Sequence, residues 1–394
     1  MLKRTPLFAT HQKLGARLVE FGGWEMPVQY TSITDEHLAV RRAAGMFDIS
    51  HMGEVRVSGP LALDFLNQTL TNDLRRITVG QGQYTLMCHE RGGVIDDLYA
   101  YRVADDQFLL IINASRIDVD VDWLQCRLAQ FPHREKVALE NVSEGYGAVA
   151  VQGPAAIEFM SEGFFRDPSH PAAAVRVRDL QKNQVGSFLF GHTPVWVACT
   201  GYTGEHGFEV VAPAELMAGV WNKIMAAGAP HGLKPAGLGA RDTLRTEAGY
   251  PLYGHELDEK TTPIEAGLAA FVRFEKMDFV GRAVLAEQTA RGTLKKCVAF
   301  KMTDRSAPPR PNYPIWSSGA DAKPIGQVVS GTQSPWLGIG IGLGYVPPEF
   351  AKAGTPIEVE IRGRRAPAVV VPKPIYRRPN PVEAASNLGR RAEK

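Results

Sequence analysis

The stretch GGVIDDLYAYR, residues 92–102, sets two adjacent aspartates in an otherwise apolar run. Its residue types favour β strands, so it predicts a strand that starts after the Gly92-Gly93 turn. Burying a carboxylate costs several kcal/mol unless charges or hydrogen bonds compensate. Because neighbours in a strand point to opposite faces, Asp96 and Asp97 cannot act as a paired dyad, and at most one enters a site. The expected faces are Val94, Asp96 and Leu98 on one side, and Ile95, Asp97 and Tyr99 on the other.

The chain around this strand mixes two kinds of periodic pattern up to about residue 290. A helical pattern occurs in HLAVRRAAGMF (37–47) and DVDWLQCRLAQF (120–131). Strand-like runs are YTLMC, LYAYRV, FLLIIN, VWVACT and FEVVA, joined by turns that contain Gly, Asn or Asp. Because helices and strands do not alternate strictly, the pattern predicts an α+β fold rather than a doubly wound parallel sheet.

From Leu294 onward the sequence predicts a separate antiparallel β domain, a barrel or a sandwich. Strand-like CVAFKM, GQVVSG, GIGIGLGYV, IEVEI and APAVVV follow one another between turns rich in Pro and Gly. In WLGIGIGLGYV the glycines fall at every second position from 338 to 344. This period places them on one face of a strand and differs from a dinucleotide-binding fingerprint. A polar tail, residues 381–394, is expected to be loose.

Composition excludes several classes of protein. The 394 residues are 44% hydrophobic and 22% charged, which is typical of a globular chain. A net charge of +2 predicts no nucleic-acid binding. The longest aliphatic run, FLLII at 108–112, is far shorter than the ~20 residues that span a bilayer. The N-terminus has no signal-peptide pattern and the four cysteines stand singly, so we expect the bacterial cytoplasm, or the mitochondrial matrix for a processed eukaryotic chain.

One candidate binding segment is VWVACTGYTGEHGFEVV, residues 195–211, which predicts a β hairpin. Its tip carries Tyr202, Glu205 and His206. On these residues alone, a solvated turn is the favoured interpretation. The alternative is a rigid tip that presents Glu205 to a ligand with paired N–H donors, such as an aminopyrimidinone edge, because a carboxylate accepts two parallel hydrogen bonds.

A second candidate is AGLGARDTLRTEAGYPLYGHELDE, residues 236–259, which predicts a helix with Arg241 and Arg245 four apart on one face. Two nearby acids, Asp242 and Glu247, would neutralise them in a surface ion-pair network. Alternatively, the arginines bind a ligand. The glycines just before Arg241 allow close approach of a bound group, which slightly favours a site.

No metal site or protein nucleophile is predicted. His51 and His89 are isolated, without a second ligand at metal-binding spacing. No Ser or Cys stands in a nucleophile-elbow context.

Six segments occur in an order that is characteristic of one family. They are FGGWEMPVQY (21–30), RRAAGMFDISHMGEV (41–55), GGVIDDLYAYR (92–102), AVQGP (150–154), TGYTGEHGFEV (200–210) and GLGARDTLRTEAG (237–249). The chain resembles the glycine cleavage T-protein family of tetrahydrofolate-dependent aminomethyltransferases from about Thr5 to KPIYRR at 373–378. Three positions differ from the usual pattern: Tyr99 replaces an aliphatic residue, Cys199 a frequent arginine, and His206 an aspartate or alanine.

The resemblance implies a three-domain cloverleaf around a central folate channel. Residues 1–290 would form the α+β folate-binding region from two intertwined domains, the second at roughly 52–140, and residues 291–380 would form the C-terminal β domain. The implied reaction takes an aminomethyl group from the lipoyl arm of a carrier protein, the H protein of the glycine cleavage system. Tetrahydrofolate accepts the methylene, ammonia leaves, and the dihydrolipoyl arm is returned.

The resemblance also implies roles for individual residues. Asp96 would be the catalytic carboxylate, and Glu205 would hold the pterin edge. Tyr84, Asn113 and Arg241 would line the folate site, and Tyr376 and Arg378 would close it. Breaking the C–S bond of a thioaminal gives an iminium-like cation. One fixed negative charge can stabilise this cation and a base can take the departing proton, so the reaction requires no metal.

Two other functions fit the same fold. One is a folate-dependent demethylase that takes a methyl group or an oxidised amine from a small molecule. The other is a folate-binding assembly or repair protein without transferase activity, which we would expect to lack the motif around Asp96.

Overall fold

The protein is described by a computed structural model over residues 2–378. Within this range the helices are α1 (Phe8–Lys13), α2 (Ile33–Arg42), α3 (Ala62–Thr69), α4 (Ile117–Gln130), α5 (Ala156–Phe159), α6 (Met217–Gly228), α7 (Leu238–Ala248) and α8 (Arg282–Arg291).

The strands of the first half of the described range are β1 (Arg17–Phe21), β2 (Trp24–Gln29), β3 (Ala44–Asp48), β4 (Gly53–Ser58), β5 (Gln81–Cys88), β6 (Val94–Ala104), β7 (Gln107–Ile112), β8 (Ala138–Asn141), β9 (Tyr146–Gln152) and β10 (Phe165–Arg166). Those of the second half are β11 (Val185–Phe190), β12 (Thr193–Ala198), β13 (Gly207–Pro213), β14 (Leu233–Pro235), β15 (Lys296–Met302), β16 (Pro314–Ser317), β17 (Pro324–Gln333), β18 (Gly340–Val346), β19 (Pro356–Ile361) and β20 (Arg364–Val371).

The predicted strands and the helix at 120–131 are present, but the helix predicted at 37–47 is partly wrong. α2 ends at Arg42, and the chain then enters β3 at Ala44. β3 lies inside a sheet between β9 and β14, and all five of its residues are buried. Strand pairing and burial therefore override the local helical pattern. Gly45 permits this packing, since a Cβ there would lie 2.5 Å from a Val40 methyl group.

The first of the larger sheets contains the GGVIDDLYAYR strand. Its order is β5-β6-β7-β4-β8, and every neighbouring pair is antiparallel. One face is apolar and covers α3 and α4, with Phe65, Leu98 and Leu124 at the centre of this core. The opposite face contacts other parts of the chain, so this strand is buried on both sides.

A seven-stranded sheet packs against the face of the five-stranded sheet that is opposite α3 and α4. Its order is β10-β11-β12-β13-β9-β3-β14, and only β14 pairs in parallel, with β3. Its outer face packs on α5 and α6 around Trp221 and Phe159. Its inner face meets the five-stranded sheet, where Tyr101 and Leu109 contact Val185.

The C-terminal strands form a closed antiparallel barrel in the order β15-β18-β17-β16-β19-β20, with β20 pairing back to β15. The glycines of β18 face its interior, where a Cβ at Gly342 would lie 2.5 Å from the Phe300 ring. The opposite face of β18 carries Ile341 and Leu343, which pack with Ile375 of the C-terminal segment. The period-two glycines thus make room for aromatic packing inside a barrel.

The predicted fold class, α+β with a C-terminal antiparallel β-barrel domain, is confirmed. The predicted boundaries at 1–290, 52–140 and 291–380 stay predictions. The predicted tail, 381–394, lies outside the described residues. No helix within residues 2–378 is both long and apolar enough to cross a membrane.

Candidate functional site

The two adjacent aspartates lie on opposite faces of β6, and a β-bulge decides which face each takes. Met87 of β5 pairs with Asp96 and the next residue, Cys88, pairs with Val94, so Ile95 has no partner across the strand pair. The bulge places Ile95 in the apolar core with α3 and α4. Val94 lies on the other face of the strand, in an apolar cluster with Leu86 and Leu257. The predicted faces were therefore wrong for Val94 and Ile95, because strict alternation fails at a bulge.

Asp96 points toward helix α4 and is fully buried. The backbone N–H of Asn113 donates to its Oδ2 at 3.0 Å, and the Asn113 side-chain amide donates to its Oδ1 at 2.8 Å. Asp120 of α4 is also fully buried, and neither of its carboxyl oxygens has a hydrogen-bond partner among the described residues. Asp96 as the reacting carboxylate stays a prediction, and this inward placement does not support it.

Asp97 points to the other face and is only half-buried. The Tyr84 hydroxyl donates to its Oδ2 at 2.8 Å, and the Asn113 amide donates to its Oδ1 at 3.0 Å. Burial first, and the Asp96 charge second, raise the pKa of Asp97 to about 7. A carboxyl group with this pKa can both hold and release a proton near neutral pH.

Tyr202 lies at the tip of the β12–β13 hairpin, and its hydroxyl donates to the Pro251 carbonyl. Burial raises the pKa of its phenol, and the Asp97 charge raises it further against the opposing effect of Arg245. Its ring stacks on Tyr250 with centroids 5.9 Å apart. The Arg241 guanidinium lies 4.9 Å from the centre of the Tyr202 ring.

Arg241 of α7 carries an unused donor. Its Nη1 is buried and has no hydrogen-bond partner among the described residues, although the residue as a whole is half-buried. Burial lowers its pKa, and the nearby Glu209 carboxylate opposes that change. A buried donor without an acceptor is costly, so this position suits an oxygen or nitrogen acceptor of a ligand. Arg245, by contrast, is buried and paired with Asp242 and Glu256 at 2.7 and 2.9 Å.

Glu205 is not a solvated turn residue, because its side chain is 0% exposed. Arg41 of α2 donates to its Oε1 at 2.8 Å, and Arg378 donates to its Oε2. A carboxylate has about four lone-pair sites, so further sites remain for a ligand. Arg41 is itself held by Glu247 of α7, with its Nη2 2.6 Å from Oε2.

The C-terminal segment closes over this arginine. The Tyr376 N–H donates to the Glu247 carbonyl at 2.9 Å, and the Tyr376 ring lies 4.0 Å from the Arg41 guanidinium. The Tyr376 hydroxyl is buried without a hydrogen-bond partner among the described residues. Arg378 is 41% exposed at its side chain, so this end of the site reaches solvent.

The structure brings the predicted residues into two clusters. Tyr84, Asn113, Asp96 and Asp97 form the first, and Glu205, Tyr376 and Arg378 form the second; Tyr202 and Arg241 lie on the hairpin and helix between them. Sequence reasoning did not find Arg41 as the partner of Glu205, or Glu247 as the residue that holds Arg41. No spacing signal connects them, since Arg41 and Glu205 are 164 positions apart.

His51 and His89 have no metal-like surroundings among the described residues. His51 is buried, and burial, with a further contribution from the Arg241 charge, lowers its pKa to about 4 against the effect of Asp48. Its imidazole is therefore neutral at pH 7. His89 pairs through Nε2 with the Glu259 carbonyl at 2.7 Å.

The site combines residues of a five-stranded sheet, a hairpin and the segment after a C-terminal barrel, and the family comparison identifies the class of protein that has this architecture. Residues 7–276 match the GCVT N-terminal domain model, and residues 295–377 match the glycine cleavage T-protein C-terminal barrel domain. The chain belongs to the glycine cleavage T-protein family.

Curated relatives and a solved structure agree with this membership. The chain is 45% identical to an aminomethyltransferase of Lysinibacillus sphaericus, over 96% of this chain and 98% of the relative. It is 43% identical to an aminomethyltransferase of Desulfitobacterium hafniense, over 96% and 99% of the two chains. The crystal structure of the glycine cleavage system aminomethyltransferase T from Bartonella henselae matches with a TM-score of 0.86 and 31% identity, covering 95% of this chain and 98% of that one.

Proposed function

We propose that this protein is the aminomethyltransferase of the glycine cleavage system, with tetrahydrofolate as its one-carbon acceptor and the lipoyl carrier (H) protein as its partner. The family membership supports the reaction class. The observation that carries the site assignment is the half-buried Asp97 carboxylate, which is held by Tyr84 and Asn113.

The proposed reaction balances without an added oxidant or metal. The C–S bond of the aminomethyl-lipoyl thioaminal breaks, and sulfur leaves with the electron pair and gains a proton. The methylene carbon forms bonds to two folate nitrogens, each of which loses a proton, and the amino group leaves as ammonia. Positive charge therefore develops first on an iminium-like carbon and then on a folate nitrogen.

In this proposal Asp97, rather than Asp96, is the catalytic carboxylate. Its ionised form stabilises the developing cation, and with a pKa of about 7 it can also accept the departing proton. Tyr84 and Asn113 each donate one hydrogen bond to it, which fixes its orientation. Asn113 thus acts on the carboxylates rather than directly on the ligand.

The remaining predicted residues fit a folate. Glu205 would accept paired N–H bonds of the pterin edge while Arg41 and Arg378 hold its carboxylate in place by hydrogen bonds. The unused Nη1 of Arg241 and the unused hydroxyl of Tyr376 suit polar atoms of the same ligand. Exposed Arg378 would also meet the glutamate tail at the solvent end of the site.

The test is ammonia release from an aminomethylated lipoyl carrier with and without tetrahydrofolate. We expect release that depends on both folate and carrier and that yields methylenetetrahydrofolate in equal amount. Release of ammonia or formaldehyde from a small methylated amine, with no reaction of the carrier, would replace this function by the demethylase alternative.

A further inference from the structure

Glu247, in the last turn of α7, binds the guanidinium group that also binds Glu205. The Nε and Nη2 atoms of Arg41 both donate to the Glu247 Oε2, at 3.0 and 2.6 Å. The Arg41 Nη1 instead donates to the Glu205 Oε1 and to the Thr203 carbonyl, both at 2.8 Å. The side chains of Arg41, Glu205 and Glu247 are all 0% exposed. Two buried carboxylates therefore share one guanidinium, and each binds a different part of it.

The Tyr376 ring fixes the plane of this guanidinium. The ring covers one face, with its centroid 4.0 Å from the Arg41 Cζ, and the Tyr376 N–H donates to the Glu247 carbonyl at 2.9 Å. A guanidinium covered in this way is still free to turn within its plane. Its orientation in the plane depends on which edge meets a carboxylate, because the Nε–Nη2 edge and the Nη1–Nη2 edge can each bind one.

Glu247 is itself held from the side of the barrel. The Ser334 hydroxyl, in the connection between β17 and β18, donates to the Glu247 Oε1 and accepts the Leu337 N–H at 2.9 Å. The Nε2 of His37, on α2, lies 3.2 Å from the same Glu247 oxygen. The Oε1 of Glu247 thus contacts the barrel connection and α2, while its Oε2 binds Arg41.

We infer that Glu247 is a positioning residue for the pterin end of the folate. Because it occupies the Nε–Nη2 edge, it limits Arg41 to one hydrogen bond with Glu205, through Nη1. Without Glu247, the Nη1–Nη2 edge of Arg41 is free to turn toward Glu205 and bind both of its oxygens. The inference rests on the proposed function, which gives Glu205 the role of accepting the paired N–H donors of the ligand.

The number of acceptor sites on Glu205 supports this role. A carboxylate has about four lone-pair sites. Arg41 uses one on Oε1 and Arg378 uses one on Oε2, so about one site remains on each oxygen for two parallel N–H donors. A second bond from Arg41, to Oε2, would remove one of these sites. The ligand would then keep an unpaired donor, which is costly in a buried site.

A double-mutant cycle that measures tetrahydrofolate affinity by calorimetry tests the role. Glu247→Ala frees the Nε–Nη2 edge of Arg41 and should weaken binding by roughly tenfold. In the Glu205→Gln background the same substitution should change the affinity by less than about threefold, because the acceptor that Glu247 protects is already lost. Equal losses in both backgrounds would overturn the inference, since a purely structural effect does not depend on Glu205.

Glu256→Ala is the matched control. Glu256 is also buried and binds an arginine of α7, since the Arg245 Nη1 donates to its Oε2 at 2.9 Å. Any loss of affinity in Glu256→Ala should therefore be the same with and without the Glu205 carboxylate. Glu247→Gln keeps an acceptor for Arg41, so it should recover most of the affinity that Glu247→Ala loses. If Glu247→Ala does not fold, Glu247→Asp replaces it in the cycle, because its shorter side chain withdraws the carboxylate from Arg41.

Ligand specificity gives a second measurement. A tetrahydropterin without the 2-amino group has one N–H donor fewer for Glu205, and the unchanged protein should bind it roughly tenfold to hundredfold more weakly than the parent tetrahydropterin. In Glu247→Ala this ratio should fall to less than about threefold, because only one acceptor site then remains. A ratio that stays the same in Glu247→Ala would overturn the inference.

These measurements separate the inference from the proposed function. If the unchanged protein does not bind tetrahydrofolate, both are overturned. If the unchanged protein binds it and the losses in the cycle are additive, the proposed function stands and only the role of Glu247 is overturned.

Discussion

Replacing Asp97 by Asn should abolish most of the transfer reaction while leaving the protein folded. Asn keeps the size of the side chain and an oxygen that can accept from Tyr84, but it removes the charge. A carboxylate about 4 Å from a forming cation contributes roughly 4 kcal/mol at an effective dielectric constant near 20. Turnover should therefore fall by about a thousandfold.

The magnitude for Asp96 is different because it lies on the opposite face of the strand. At about 8 Å from the same cation its charge contributes roughly 2 kcal/mol. Asp96→Asn should therefore slow turnover by about thirtyfold, and part of that loss would arise from the disturbed Asn113 contacts. The expected loss of turnover is therefore much larger for Asp97→Asn than for Asp96→Asn, although the two residues are adjacent.

Single-turnover ammonia release measures the chemical step, and calorimetry measures folate affinity separately. We expect Asp97→Asn to bind folate within about tenfold of the unchanged protein. Asp106→Asn is the matched control, since Asp106 is exposed in the turn after the same strand. An inactive Asp96→Asn together with an active Asp97→Asn, both folded by thermal melting, would refute the assignment of faces and return the catalytic role to Asp96.

Four further outcomes are expected. Glu205→Gln should weaken folate binding tenfold to hundredfold, about 1.5–3 kcal/mol, and unchanged affinity by calorimetry, with the exposed Glu215→Gln as control, would remove it from the site. Arg378→Ala should weaken binding mainly at low ionic strength, because its side chain is 41% exposed; equal weakening at all salt concentrations would indicate a structural role. Turnover should fall about tenfold per unit below pH 7, where Asp97, with its pKa of about 7, becomes protonated; a flat kcat profile from pH 5 to 7 would contradict its role as an ionised group. Burial without a hydrogen-bond partner raises the pKa of Glu54 from 4.5 to about 8, so the free energy of unfolding should fall by up to about 5 kcal/mol between those pH values, and chemical denaturation of Glu54→Gln should lack that decrease.

Local patterns in the sequence were sufficient for the elements that carry the site. The strand-like runs predicted β5, β6, β7, β12 and β13, and the glycine alternation predicted the bare face of β18. The helical stretch with Arg241 and Arg245 predicted α7, although α7 ends at Ala248 and not near Glu259. These predictions succeeded because each depends on the periodicity of neighbouring residues, which the chain itself determines.

Only the tertiary structure decided which residues meet. The bulge at Ile95 depends on pairing with β5 and changes the faces that strict alternation predicts. The strand at Ala44–Asp48 replaces a locally helical pattern because two partner strands enclose it. Glu205 is buried because Arg41, 164 positions away, and Arg378, 173 positions away, both reach it. Such contacts leave no periodic trace in the sequence, since they depend on how the two sheets, the barrel and the C-terminal segment pack together, and this long-range packing turns a polar hairpin tip into a buried carboxylate held by two arginines.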